Sequence, residues 1–90
     1  MSGSVPEKRR EQRRMTTGVV HVRFANPRAK EIEGRLIDVS ASGFRMAHAE
    51  VSLEAGQVVE FSHQEAAGKA RVMWNRIVER SVESGFLVVR

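Results

Sequence analysis

The sequence predicts an all-β fold: a small six-stranded antiparallel β-barrel carrying a flexible basic arm at its N-terminus, with little or no helix. Three observations lead there. From Thr17 onward, apolar and polar residues alternate with the two-residue period of a half-buried strand. Short polar or glycine-containing turns interrupt that alternation at regular intervals, the pattern of a small sandwich or barrel. No segment makes a convincing helix. Closure of such a sheet removes the exposed edges that would otherwise template aggregation.

Residues 1–14 form the predicted arm. They have no apolar periodicity and carry five bases (Lys8, Arg9, Arg10, Arg13 and Arg14) against Glu7 and Glu11. Such a composition cannot bury enough surface to offset the entropy of ordering the chain. Residues 15–90 form the barrel and are nearly neutral, with ten bases and nine acids. In the first strand Val20, Val22 and Phe24 share one face, with His21 and Arg23 opposite, and Asn26-Pro27 ends it. Residues 28–33 read as a polar hairpin connection and 34–39 as the second strand. The turn Ser40-Ala41-Ser42-Gly43 leads into a third strand over 44–47. Residues 48–56 hold either a helical turn or a plain loop. Residues 57–62 are a strand with Val59 and Phe61 alternating against Val58 and Glu60. A turn over 65–68 precedes a strand over 69–77, with Ala70, Val72 and Trp74 on one side. Ser84-Gly85 then turns the chain into the last strand, 86–89. Phe24, Phe44, Phe61, Trp74 and Phe86 all fall in alternating runs and are expected in the core.

Composition narrows the chemistry. The chain has no cysteine, which excludes disulfides, thiolate metal sites and a cysteine nucleophile. No apolar run approaches the ~20 residues of a membrane span, and the N-terminus lacks the apolar stretch of a secretory signal. The expected location is therefore the cytoplasm. His21, His48 and His63 are far apart and lack partners at metal-ligand spacing, so they read as surface histidines on strands and turns, with no metal. No phosphate loop, nucleophile elbow or paired-carboxylate motif is present. The reading is of a binding protein and not an enzyme.

Two segments remain. Arg9-Arg10-Glu11-Gln12-Arg13-Arg14 contains Arg-x-x-x-Arg in two overlapping registers, Arg9/Arg13 and Arg10/Arg14. Asp38-Val39-Ser40-Ala41-Ser42-Gly43 is an Asp-x-Ser-x-x-Gly turn between two predicted strands. Either alone has an ordinary explanation, as a solvated basic tail or as a turn capped by short polar side chains. In this order, with room between them for one hairpin, they resemble the signature of the PilZ domain family. The resemblance runs from about residue 9 to the C-terminus. The Gly56-Gln57-Val58-Val59 stretch, the Trp74 strand and the Gly85-Phe86 strand fall where the family has similar features. The helix that many members carry after the barrel has no counterpart before Arg90.

The resemblance implies a stand-alone receptor for cyclic di-GMP, with no other cofactor. It assigns ligand contacts to Arg9, Arg10, Arg13 and Arg14 in the arm, with Lys8 before them, and to Asp38, Ser40 and Gly43 in the turn. The chemistry suits the ligand. Arginine grips a phosphate bidentately, pairs with the O6/N7 edge of guanine and stacks on a base. A carboxylate accepts hydrogen bonds from guanine's N1–H and N2–H, the role the family implies for Asp38. Ser40 can donate a hydroxyl hydrogen bond, and Gly43 permits a sharp turn beside the base. The cation preceding the arginine pair implies two ligand molecules per chain. Binding would fold the arm onto the barrel and regulate a separate, unidentified partner protein in motility, exopolysaccharide or virulence output. The competing expectations are a small basic barrel for RNA or single-stranded nucleic acid, and a PilZ-fold protein-interaction module.

Overall fold

The computed structural model describes residues 12–25 and 28–90. Lys8, Arg9 and Arg10, and most of the predicted arm, lie outside the described residues. The described residues form seven antiparallel strands: β1 (Arg14–Met15), β2 (Val19–Phe24), β3 (Lys30–Val39), β4 (Gly43–His48), β5 (Val58–His63), β6 (Ala66–Val78) and β7 (Ser81–Val89). The order β3-β2-β5-β6-β7-β4 closes through the β3–β4 pairing, which makes a six-stranded antiparallel barrel. β1 is the additional strand. It continues the edge of β3 beyond β2, pairing Arg14 with Val39 and Met15 with Asp38. Among the described residues there is no helix, and so none long and apolar enough to cross a membrane.

The alternation that predicts the strands also fills the barrel. Val20, Val22 and Phe24 of β2, Leu36 and Val39 of β3, Phe44 and Met46 of β4, Val59 and Phe61 of β5, Ala70 and Val72 of β6 and Phe86 of β7 form one buried cluster. The ring of Phe44 lies 4.6 Å from Phe86 and 4.8 Å from Phe61, centroid to centroid. At 25 cal/mol per Å² of apolar surface, each such ring contributes roughly 2–3 kcal/mol to burial. Residues 49–57 form a loop with turns and no helix, anchored by the buried Leu53.

Several boundaries differ from the sequence expectation. Lys30, Glu31, Ile32 and Glu33, expected in a connection, are strand residues paired with Phe24, Arg23, Val22 and His21. Their polar side chains face solvent while Ile32 packs against the core, so the segment is an amphipathic strand whose exposed face looks like a loop. The turn after β5 is confined to residues 64 and 65, and β6 begins at Ala66. Ser84 and Gly85 lie within β7; the real turn is at residues 79 and 80, with Glu79 in the left-handed region at φ 56°.

Two register shifts bear on the site. On β3, Leu36 pairs with Met46 and Asp38 with Arg45, leaving Ile37 as the extra residue of a bulge. On β6, Val72 pairs with Phe86 and Trp74 with Gly85, leaving Met73 extra. A bulge reverses which face the following side chains occupy. Plain alternation from the buried Leu36 and Val72 would aim Asp38 and Trp74 inward. The bulges turn both outward, which is why Trp74 is half-buried and not part of the core cluster as expected.

Candidate functional site

The registers align four residues in one row across the outside of the barrel: Asp38 on β3, Arg45 on β4, Gly85 on β7 and Trp74 on β6. Gly85 has to be glycine here. A Cβ at that position would overlap the Trp74 indole, so the ring lies directly over the bare backbone. Arg76, next along β6, places its guanidinium 5.7 Å from the Trp74 ring centroid and donates to Glu83 at 3.0 Å. The row opens onto a cavity of about 440 Å³ lined by Arg13, Ser42, Gly43, Arg45, Met73, Trp74, Gly85, Phe86 and Leu87.

Asp38 is the electrostatic centre. Its residue is 2% exposed, yet it is ionised and fully partnered. Arg45 Nε donates to Oδ1 at 3.1 Å and to Oδ2 at 2.9 Å, and Arg45 Nη2 donates to Oδ2. Arg13 Nε donates to Oδ1 at 3.4 Å, and Arg13 Nη1 donates to Ser40 Oγ at 3.1 Å. Burial pushes the Asp38 carboxyl up. The hydrogen bonds from Arg45 and the charges of Arg13 and Arg45 outweigh that and hold it below its ordinary value.

The turn residues have structural tasks as well. Ser40 N–H donates to the Gly43 carbonyl at 2.8 Å, and Ser40 Oγ donates to the same oxygen at 3.4 Å. A side chain at Gly43 would overlap the Phe86 carbonyl oxygen, so glycine lets β4 approach β7 there. Arg13, Asp38, Ser40 and Gly43, all named from sequence, therefore converge. Arg14 does not contact Asp38, although it lines a second cavity, of about 530 Å³, with Ser40 and Gly43. It turns to the barrel mouth and pairs with Glu65, with Nη2 to Oε1 at 2.5 Å and Nη1 to Oε2 at 3.3 Å. That hydrogen bonding raises the Arg14 pKa and lowers that of Glu65.

Sequence reasoning missed Arg45 and Trp74, and with them the Gly85 that lies between them in the row. Arg45 was legible in principle, since a residue two after Gly43 on a strand faces the same side as the turn, but pairing with Asp38 depends on the Ile37 bulge. Trp74 was assigned to the core by an alternation that the Met73 bulge breaks.

The histidines need a correction too. His48 is buried at 6% exposure, not on the surface. Its Nδ1 accepts the Glu50 N–H at 3.0 Å, so in the neutral ring Nε2 carries the proton and donates to Ser84 Oγ at 2.7 Å. Ser84 Oγ donates to Asn75 Oδ1 at 2.5 Å, and Asn75 Nδ2 donates to the Leu53 carbonyl at 2.9 Å. Ser84 and Asn75 flank Gly85 and Trp74 in sequence, so this chain runs directly beneath the row. Among the described residues no cluster of three histidine, aspartate or glutamate side chains could hold a metal ion.

The arrangement presents two guanidiniums side by side on one carboxylate, with an aromatic plane in the same row. Such a surface is suited to a planar base bearing hydrogen-bond acceptors and to a phosphate. In comparisons with known proteins, no protein-family model and no curated protein matches the chain.

Proposed function

We propose that the protein is a receptor for cyclic di-GMP of the PilZ type, acting in the cytoplasm by binding and not by catalysis. One observation carries the reading. Arg13 contacts both Asp38 and Ser40, which lie 25 and 27 residues further along the chain. Arg13 of the first motif thus touches two residues of the second, a contact that independent roles as a tail and a turn would not require.

In this reading Arg13 and Arg45 address a phosphate or the O6/N7 edge of guanine, and Trp74 offers its face to a base. The role of Asp38 is narrower than the resemblance implies. Its oxygens already accept from two arginines, so its first task is to hold those guanidiniums in place. Accepting from guanine N1–H and N2–H requires one of them to move onto the ligand. Such an exchange links ligand binding to rearrangement of the arm, and through it to a separate partner protein.

The half-exposed Trp74 between Arg45 and Arg76 also favours a second reading, a stacking platform for single-stranded nucleic acid. Calorimetric titration separates the two, with cyclic di-GMP, cyclic di-AMP, GTP and an RNA oligonucleotide run at two salt concentrations. A guanine-reading site binds cyclic di-GMP, rejects cyclic di-AMP and depends weakly on salt. Tightest binding to RNA, with a steep salt dependence, selects the second reading. No binding of cyclic di-GMP refutes the first.

A further inference from the structure

The overlapping arginine pairs differ by one residue, and which of their described members, Arg13 or Arg14, meets Asp38 is decided by the register of β1. A strand sends consecutive side chains to opposite faces, and a slip of one residue exchanges them all. β1 pairs Arg14 with Val39, a core residue in the row of Phe44 and Phe86, and Met15 with Asp38 on the outer row. Arg13 and Met15 therefore share the outer face, and Arg14 falls on the side of the barrel mouth. A slip by one residue would put Arg14 over Asp38 and withdraw Arg13.

The pairing of β1 is short, and it is continued toward β2 by Thr16 N–H donating to the Ile37 carbonyl at 3.1 Å and Leu36 N–H donating to the Gly18 carbonyl at 2.9 Å. The turn between β5 and β6 adds side-chain contacts to this register. Glu65 clamps Arg14 through both carboxylate oxygens, and Gln64 Nε2 donates to Thr16 Oγ1 at 3.1 Å. The turn is itself held, because Glu65 N–H donates to His63 Nδ1 at 3.1 Å and the His63 ring sits 5.1 Å from Phe44. Arg14 and Glu65 are 51 residues apart in sequence, so this contact has no part in local turn formation.

We infer that Glu65 is a specificity-determining residue: by holding Arg14 at the barrel mouth it favours the register in which Arg13 addresses the ligand. The inference rests on the cyclic di-GMP reading for its consequence, but the clamp itself is a property of the unliganded chain. The pair is exposed, so it biases the register by only about two- to five-fold.

The test compares wild type, Arg13→Ala, Arg14→Ala, Glu65→Gln and Arg13→Ala/Glu65→Gln by titration with cyclic di-GMP. Arg13→Ala loses at least about ten-fold in affinity, and Arg14→Ala no more than the few-fold bias of the clamp. Glu65→Gln weakens binding in the wild-type background. In the Arg13→Ala background it strengthens binding, because the released Arg14 can slip into the vacated place. An effect of the same sign in both backgrounds overturns the inference, since merely removing a negative charge near an anionic ligand gives that result. A ligand-free readout accompanies it: the cross-strand nuclear Overhauser contact between Met15 and Asp38 weakens in Glu65→Gln. Unchanged intensity refutes the clamp whether or not ligand binds. Weakened intensity in a chain that fails to bind cyclic di-GMP keeps the clamp and refutes the functional reading.

Discussion

Arg45 sits directly across the β3–β4 ladder from Asp38 and grips its buried carboxylate with Nε and Nη2, which makes the outer face of the barrel a cationic site organised around one acid. The Arg45 side chain is 32% exposed and that of Arg13 42%, so both cations have free hydrogen-bonding capacity toward a ligand.

The first prediction follows from that asymmetry of burial. Arg45→Ala leaves a nearly inaccessible carboxylate with only the longer contact to Arg13. Because water reaches the Arg45 side of the pair, the cost is discounted from that of a fully buried ion pair to about 1–3 kcal/mol. Asp38→Asn keeps the shape and costs less, since the arginines it releases are solvated. Urea denaturation should rank Arg45→Ala below Asp38→Asn in stability. Cyclic di-GMP titration should show each weakening binding by about ten-fold or more.

Trp74 is the chain's single tryptophan, so its fluorescence reports on the site alone. Ligand binding should quench and shift its emission, and Trp74→Ala should reduce affinity by about 1–3 kcal/mol if a base stacks there. Gly85→Ala tests the geometry separately. The added methyl displaces the indole from the backbone, so emission of the free protein should change and affinity fall. Unaltered emission and affinity would mean that the ring is not held over Gly85.

The third prediction concerns pH. Burial lowers the His48 pKa below its ordinary value of 6.5, outweighing the opposing pull of Glu50. The folded state therefore favours the neutral ring, and below about pH 6.5 the unfolded chain binds a proton that the folded chain resists. Stability is full above that pH and declines as pH falls through the window beneath it. A protonated ring would also lose the Nδ1 acceptor that holds Glu50 N–H. His63 shifts in the same direction, for the same leading cause. Asp38 is held below its ordinary value, and Glu50 is pulled to about 2 by Lys30 and Ser52, so neither titrates in this window. Urea denaturation between pH 7.5 and 5.5 should show a shallower loss of stability in His48→Gln than in wild type. Equal slopes would remove His48 as the source.

The fourth prediction is stoichiometric. Two intercalated cyclic di-GMP molecules bring four phosphates together, and several cations must offset their repulsion. Arg13 and Arg45 provide two at the site, and Lys8, Arg9 and Arg10 precede them in sequence. Calorimetry at known protein concentration should saturate near two equivalents. Lys8→Ala/Arg9→Ala should lower the endpoint toward one, and an endpoint of one in wild type refutes the stacked pair.

The alternation of the sequence determined the barrel, and its motifs offered part of the candidate site. Val20, Val22, Phe24, Val59, Phe61, Ala70 and Val72 alternate with polar residues, and burial enforces that period wherever a strand has one wet and one dry face. Asp38, Ser40 and Gly43 were legible as a turn, which needs short polar side chains and glycine at fixed offsets, and as site candidates only through the resemblance to a family signature. The tertiary structure alone decided which side of the barrel Asp38 and Trp74 occupy. Each follows a one-residue bulge, at Ile37 and Met73, and a bulge is a property of two paired strands that the spacing in either strand does not contain. For the same reason Arg45 and Gly85 enter the site only through register, and which of Arg13 and Arg14 meets Asp38 depends on the β1–β3 pairing and on contacts to Gln64 and Glu65. His48 looked like a surface residue because the acceptors and donors that permit its burial, Glu50 N–H, Ser84 and Asn75, come together only when β4, β6 and β7 close the sheet. Local period fixes which residues are strands; long-range pairing fixes which of their side chains meet.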